Sequence, residues 1–163
     1  MRILFLDIDG VLNRYQIGYM DAHDEMWESD LVARINTLTE RHGLSIVITS
    51  DWRKAYSFET MQQVCGQYMG LTAEVVGMTS TDHLDDDYYR RRAISETAVS
   101  RLRALQIQQW IDSHDVDHYI VVDDNIYAEY GHEDVFVHCN GFVGFDDECL
   151  QEADYICSMF EHI

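Results

Sequence analysis

The 163-residue chain has the length of one domain, and with 47% hydrophobic and 12% aromatic residues it is too apolar for a disordered polyanion. Its formal charge of −19, with only 11 basic residues and Lys54 as the sole lysine, disfavours a groove for long nucleic acid, which needs Lys and Arg to displace counterions from phosphates. Cys65, Cys139, Cys149 and Cys157 have no C-x-x-C spacing, so reduced thiols in a cytoplasmic protein are expected rather than a disulfide framework or a zinc ribbon.

The chain opens on a continuous apolar run, Ile3 to Ile8, which predicts a strand covered on both faces, as in a parallel sheet, rather than a secretory leader. Residues 13–29 are polar and contain glycine, and predict a loop or small flap. From Asp30 the apolar period becomes helical through Leu31, Ile35 and Leu38, with Asp30 as the expected N-cap and Gly43 just past the end. A second buried strand follows at Ser45 to Thr49. After Ser50-Asp51-Trp52-Arg53, Ser57 is placed to cap a helix carrying Phe58, Met61, Val64, Cys65 and Met69 before Gly70.

Glu74-Val75-Val76 predicts a short strand, and residues 79–95 predict a long loop or small insertion containing Asp85 to Asp87, Tyr88, Tyr89 and Arg90 to Arg92. The arginine run is expected to form a solvated face against the aspartates. Helix returns near Ser100, with Leu102, Leu105, Ile107, Trp110 and Ile111 as its apolar stripe. A fourth strand, Tyr119 to Val122, ends in Asp123-Asp124, a fifth covers Val135 to Val137, and a last helix carries Leu150, Ala153, Ile156 and Phe160. Alternation of strands and helices predicts one α/β domain over 1–163, a doubly wound parallel sheet of about five strands. No apolar run is long enough to span a membrane.

Ligands of open α/β sheets bind beyond the carboxyl ends of the strands. Three predicted strand ends carry chemistry: Asp7 and Asp9 after the first, Thr49 and Ser50 after the second, Asp123 and Asp124 after the fourth. Carboxylates gathered there repel one another unless a hard divalent cation such as Mg²⁺ sits between them. A hydroxyl and a cationic side chain opposite that metal would cradle a phosphoryl group.

In these residues the chain resembles the haloacid dehalogenase-like (HAD) phosphohydrolases, with a minimal cap as in small phage and bacterial members. The strand with Asp7-Ile8-Asp9-Gly10 matches their first motif, Ile46-Val47-Ile48-Thr49-Ser50 the second, and Val121-Val122-Asp123-Asp124 the fourth. Trp52-Arg53 matches a Ser-x-Trp-Arg variant, which favours Ser50 over Thr49 as the phosphate-binding hydroxyl. The third motif, a cation, is assigned to Arg103, because Arg103 to Ile111 is similar to an Arg-Gly-x-Glu-Ile-x-x-Trp-Leu segment, with Ala104 and Gln106 replacing Gly and Glu. Arg101 and Lys54 are the alternatives.

The resemblance implies an Mg²⁺-dependent phosphatase of phosphate monoesters. Asp7 would attack phosphorus to give an aspartyl-phosphate, and Asp9 would protonate the leaving oxygen and then activate water. Ser50 and Arg103 would bind the phosphoryl oxygens. The Asp7 carboxylate, the Asp9 carbonyl and an acid of the Asp123-Asp124 pair would hold the metal. The substrate is expected to be a small phosphorylated molecule, a nucleotide or nucleic-acid end among the candidates. Two other readings stand beside this one: a receiver-like phospho-acceptor module, which the order of the motifs opposes, and a non-catalytic acidic protein that mimics nucleic acid.

Overall fold

The computed structural model describes residues 1–16, 19–23, 26–81 and 102–162. Among the described residues, seven strands and four α-helices follow in chain order: β1 (Arg2–Leu6), β2 (Tyr15–Gln16), β3 (Tyr19–His23), α1 (Ser29–His42), β4 (Ser45–Ile48), α2 (Phe58–Gln63), β5 (Val75–Met78), α3 (Leu102–Asp112), β6 (His118–Asp123), β7 (Phe136–His138) and α4 (Asp147–Ser158). Five of the strands form one all-parallel sheet in the order β5-β4-β1-β6-β7, and β2 and β3 form a separate antiparallel ribbon. The chain lays β4 and β5 on one side of β1 and β6 and β7 on the other, so strand order reverses beside β1, where such sheets open a crevice.

The period of two along β1 divides the core. Leu4 and Leu6 point to a layer with Ile46, Ile48 and Val122, covered by α1 through Val32, Ile35 and Leu38 and by α4 through Ala153 and Cys157. Ile3 and Phe5 point the other way, to Val47, Val121 and the α3 residues Ile107 and Trp110. Phe5 meets Trp110 and Tyr119 edge-on, with centroids 5.7 and 5.8 Å away.

Register levels the strand ends. Leu6 pairs with Ile48 on one side and Val122 on the other. Asp7, Thr49 and Asp123 therefore stand level at the sheet's carboxyl edge, with Asp7 N–H donating to Val122 C=O at 3.1 Å and Thr49 N–H to Leu6 C=O at 3.0 Å. Side chains more than forty residues apart in sequence are thereby set on one rim.

Several expected boundaries move. β1 stops at Leu6, and Ile8, although buried, opens a turn by accepting from the N–H groups of Val11 and Leu12. The expected flap contains the β2–β3 ribbon. Asp30 is not the cap of α1: Glu28 takes that position without a side-chain bond, and the Asp30 carboxylate is held by Arg14 at 2.8 Å and Arg34 at 3.3 Å. Gly43 ends α1 in the left-handed region, and Ser57 accepts from Thr60 N–H, both as expected. After α2 the chain continues as a π-helical turn, Val64–Met69. Leu105, expected in the α3 stripe, is exposed. Residues 82–95 of the expected insertion, and Ser100, lie outside the described residues.

The four cysteines are free and buried, and among the described residues no helix is long and apolar enough to cross a membrane. Phe5 is fully enclosed, so Phe5→Ala is expected to cost about 3–5 kcal/mol in urea unfolding. Asp146→Ala removes the Asp146 carboxylate that accepts from Cys149 N–H at the start of α4, and is expected to cost about 1 kcal/mol.

Candidate active site

The turn after β1 is closed by Asn13. Its Oδ1 accepts from Gly10 N–H at 2.8 Å, while its Nδ2 donates to Asp9 Oδ1 and to Met26 C=O, each at 2.9 Å. Gly10 sits at φ +76°, and a Cβ there would lie 2.4 Å from Asp124 Oδ2. Glycine is required twice over, by the left-handed backbone and by the closeness of the second acid of β6. Asp7 is 3% exposed, and Asp9 is partly buried, its Oδ2 accepting from the Trp52 indole N–H at 3.0 Å.

After β4, the buried Ser50 caps a 3₁₀ turn, Asp51–Lys54, by accepting from Trp52 N–H at 3.2 Å. Ser50 lines the cleft beyond the sheet, whereas Thr49 is fully enclosed and its hydroxyl has no partner among the described residues.

At the end of β6, Asp123 is completely buried. Arg103 Nη1 donates to both its oxygens, at 3.0 and 2.8 Å, and Asn125 N–H donates to Oδ1 at 2.8 Å. The same guanidinium lies 3.3 Å from Asp7 and 3.5 Å from Asp51. Of the two expected cations among the described residues, Arg103 is the one that lies against Asp7 and Asp123. Lys54 pairs with Asp51 at 3.2 Å in an exposed position, and Arg101 lies outside the described residues, as does the Arg90 to Arg92 run. Asp124 accepts from the Tyr15 hydroxyl at 2.7 Å.

These groups surround a cleft of about 390 Å³ lined by Asp7, Asp9, Tyr15, Ser50, Asp51, Arg103, Asp124 and Asn125. Carboxylate oxygens of Asp7, Asp123 and Asp124 can all lie within 4.8 Å of one another. Burial, reinforced by Asp123, pushes the Asp7 carboxyl well above its ordinary range, and Arg103 only partly opposes this. Burial raises Asp123 as well, again against the pull of Arg103. Burial alone would weaken the Arg103 charge, but Asp7 and Asp123 outweigh it and hold the guanidinium protonated. Three converging carboxylates faced by one guanidinium form an all-oxygen donor set that fits a hard divalent cation such as Mg²⁺.

A sequence profile described as the HAD domain in Swiss Army Knife RNA repair proteins matches residues 3–150. The chain belongs to the HAD-like superfamily. No curated protein and no solved structure matches it. The parallel sheet with the acids beyond its carboxyl edge is the HAD arrangement, and HAD families are in general hydrolases that act on phosphorylated substrates.

Four residues of this HAD site gave little or no signal as part of it. Tyr15 lies in the polar flap, where no pattern distinguishes it. Asn13 and Trp52 stand inside the motifs, but their bonds to Asp9 depend on how the two turns meet in space. Arg53 is legible only as the last residue of the Ser-x-Trp-Arg match, with no sign of its partners, and it is buried. Its Nη1 donates to Thr49 C=O at 2.5 Å and its Nη2 to Gln106 Oε1 at 2.6 Å, while its Nε has no partner among the described residues. Burial and the nearby Arg103 lower its pKa.

The raised carboxyls have a consequence for stability. Native Asp7 and Asp123 retain protons that the unfolded chain releases as pH rises past about 4, so the metal-free fold loses stability as pH rises from there toward the raised values. A divalent cation displaces those protons. The rise in thermal midpoint produced by Mg²⁺ is expected to be larger at pH 8 than at pH 5, and to be sharply reduced in Asp7→Asn. An equal rise at both pH values would exclude these acids as the binding set.

Proposed function

We propose that this protein is an Mg²⁺-dependent phosphatase that hydrolyses phosphate monoesters through an aspartyl-phosphate intermediate. The observation that carries the reading is the meeting of Asp7, Asp9, Ser50, Arg103 and Asp124, from separate strand ends and the α3 helix, around one cleft floored by the buried Asp123. In this reading 1–163 is a single HAD-like hydrolase domain.

Asp7 is the nucleophile. Its oxygen forms the new bond to phosphorus as the ester P–O bond breaks, and Asp9 gives its proton to the departing oxygen. Asp9, now a carboxylate, takes a proton from water as the water oxygen attacks phosphorus and the Asp7–phosphorus bond breaks, restoring both acids. The Arg103 guanidinium, 3.3 Å from Asp7, and the Ser50 hydroxyl on the cleft wall hold the equatorial oxygens, which carry the charge of the transferring group. The Asp7 carboxylate, the Asp9 carbonyl and the Asp123-Asp124 pair would hold Mg²⁺, which supplies Lewis-acid neutralisation of the phosphoryl charge.

The substrate class follows from charge and from the family. A protein of −19 repels long polyanions, so a small phosphate ester fits best; the family's description as a domain of RNA repair proteins directs attention to nucleotides and short nucleic-acid ends. Four buried, free cysteines fit a reducing cytoplasm. A nucleic-acid mimic would present its acids outward, whereas Asp7 and Asp123 are buried, which favours chemistry over mimicry.

The test is turnover of a panel of mononucleotides, 3′- and 5′-phosphorylated oligonucleotides and simple phosphate esters. Activity is expected with Mg²⁺ and to vanish with chelator, and Asp7→Asn is expected to lose about 10⁴-fold or more. Absence of metal-dependent turnover across the panel would sink the phosphatase reading, and undiminished Asp7→Asn activity would remove Asp7 as nucleophile.

A further inference from the structure

Asp9 stands two residues from Asp7, on the wall of a cleft that also holds Asp51 and Asp124. Repulsion among these acids drives a carboxylate on a turn outward to solvent unless something holds it. Two N–H groups do so from opposite sides: Asn13 Nδ2 at 2.9 Å on one oxygen and the Trp52 indole at 3.0 Å on the other. Both donors are themselves fixed. The Asn13 amide is oriented by Gly10 N–H and Met26 C=O. Trp52 belongs to the 3₁₀ turn capped by Ser50, its ring is partly buried against the core, and Tyr56 flanks it with centroids 6.3 Å apart.

From this geometry we propose that Trp52 is a positioning residue for proton transfer: its indole N–H, with Asn13 opposite, fixes the Asp9 carboxyl toward the leaving oxygen of a bound phosphate ester. The assignment rests on the phosphatase reading above and extends it to a residue that is not part of the cleft lining. The two tethers, one on each Asp9 oxygen, fix the plane of the carboxyl group and so the direction in which its proton is presented. The turn that presents Ser50 to the phosphoryl oxygens is the same one that presents the indole to Asp9, so the hydroxyl and the acid are aligned by one rigid piece of backbone.

The transferred proton gives a readout that simple packing would not move. An aryl ester departs as a stable phenolate and needs little protonation, whereas an alkyl ester departs as an alkoxide and needs the full proton. Turnover of p-nitrophenyl phosphate and of β-glycerophosphate, both with Mg²⁺, is compared for the wild type, Asp9→Asn and Trp52→Phe, with thermal midpoints recorded. Asp9→Asn is expected to lower the alkyl-to-aryl ratio of kcat strongly, and Trp52→Phe by about 10-fold. If Trp52→Phe lacks a cooperative melting transition, Trp52→Met, which also has no N–H, carries the same expectation. Equal losses on both esters in a folded Trp52 variant, with Asp9→Asn still discriminating, would overturn the role of Trp52 and leave the phosphatase reading standing. An Asp9→Asn protein that treats the two esters alike would overturn Asp9 as the acid, and the Trp52 assignment with it.

Discussion

The organising constraint of this fold is the enforced nearness of like charges at the carboxyl edge of its sheet. Asp7 and Asp123 follow strands that pair residue for residue, so the register that buries Leu6 against Val122 also brings the two acids together. Hydrophobic burial on both faces of β1 makes that register costly to change, since a slip of one residue would turn Leu4 and Leu6 into the opposite layer. The electrostatic cost is therefore sustained by the core. Arg103, held between the two acids, offsets part of it, and the rest is what a hard cation bound among them would relieve.

Around that constraint the polar shell is unusually complete. Asp9 is held from two turns, Asp123 by Arg103 and a backbone N–H, and Asp124 by Tyr15. Such bonds fix side chains before anything binds, which is how a site made of turns attains the precision that transfer chemistry needs. Arg53 adds a deeper layer. Its bond to Gln106 ties the α3 helix to the end of β4, and Arg103 is carried on that same helix one turn earlier.

Much of this was legible in the sequence because strand ends in a parallel sheet announce themselves. The apolar runs ending at Asp7, at Thr49-Ser50 and at Asp123-Asp124 marked both the fold and the residues at its rim, and their chain order carried the resemblance to HAD proteins. Local patterns set the C-terminus of α1 at Gly43 and the cap at Ser57. What could not be read was anything decided by the meeting of two turns. Asp30 has the composition of an N-cap, but Arg14 and Arg34 compete for its carboxylate inside the first turn of α1. Arg53 stands in the Ser-x-Trp-Arg match, but its partner Gln106, more than fifty residues away, is set by packing alone, and Tyr15 lies in a segment with no period.

The bond from Tyr15 to Asp124 has a consequence for how this scaffold can diversify. Tyr15 is the first residue of the β2–β3 ribbon, and its backbone N–H donates to Gly141 C=O while its ring leaves no room for a Cβ on Gly141. The root of the ribbon is thus pinned at both backbone and hydroxyl. An insertion between Asn13 and Tyr15 would pull on Asp124 itself, so the length of chain between the turn after β1 and the ribbon is one dimension in which this scaffold has little freedom to vary.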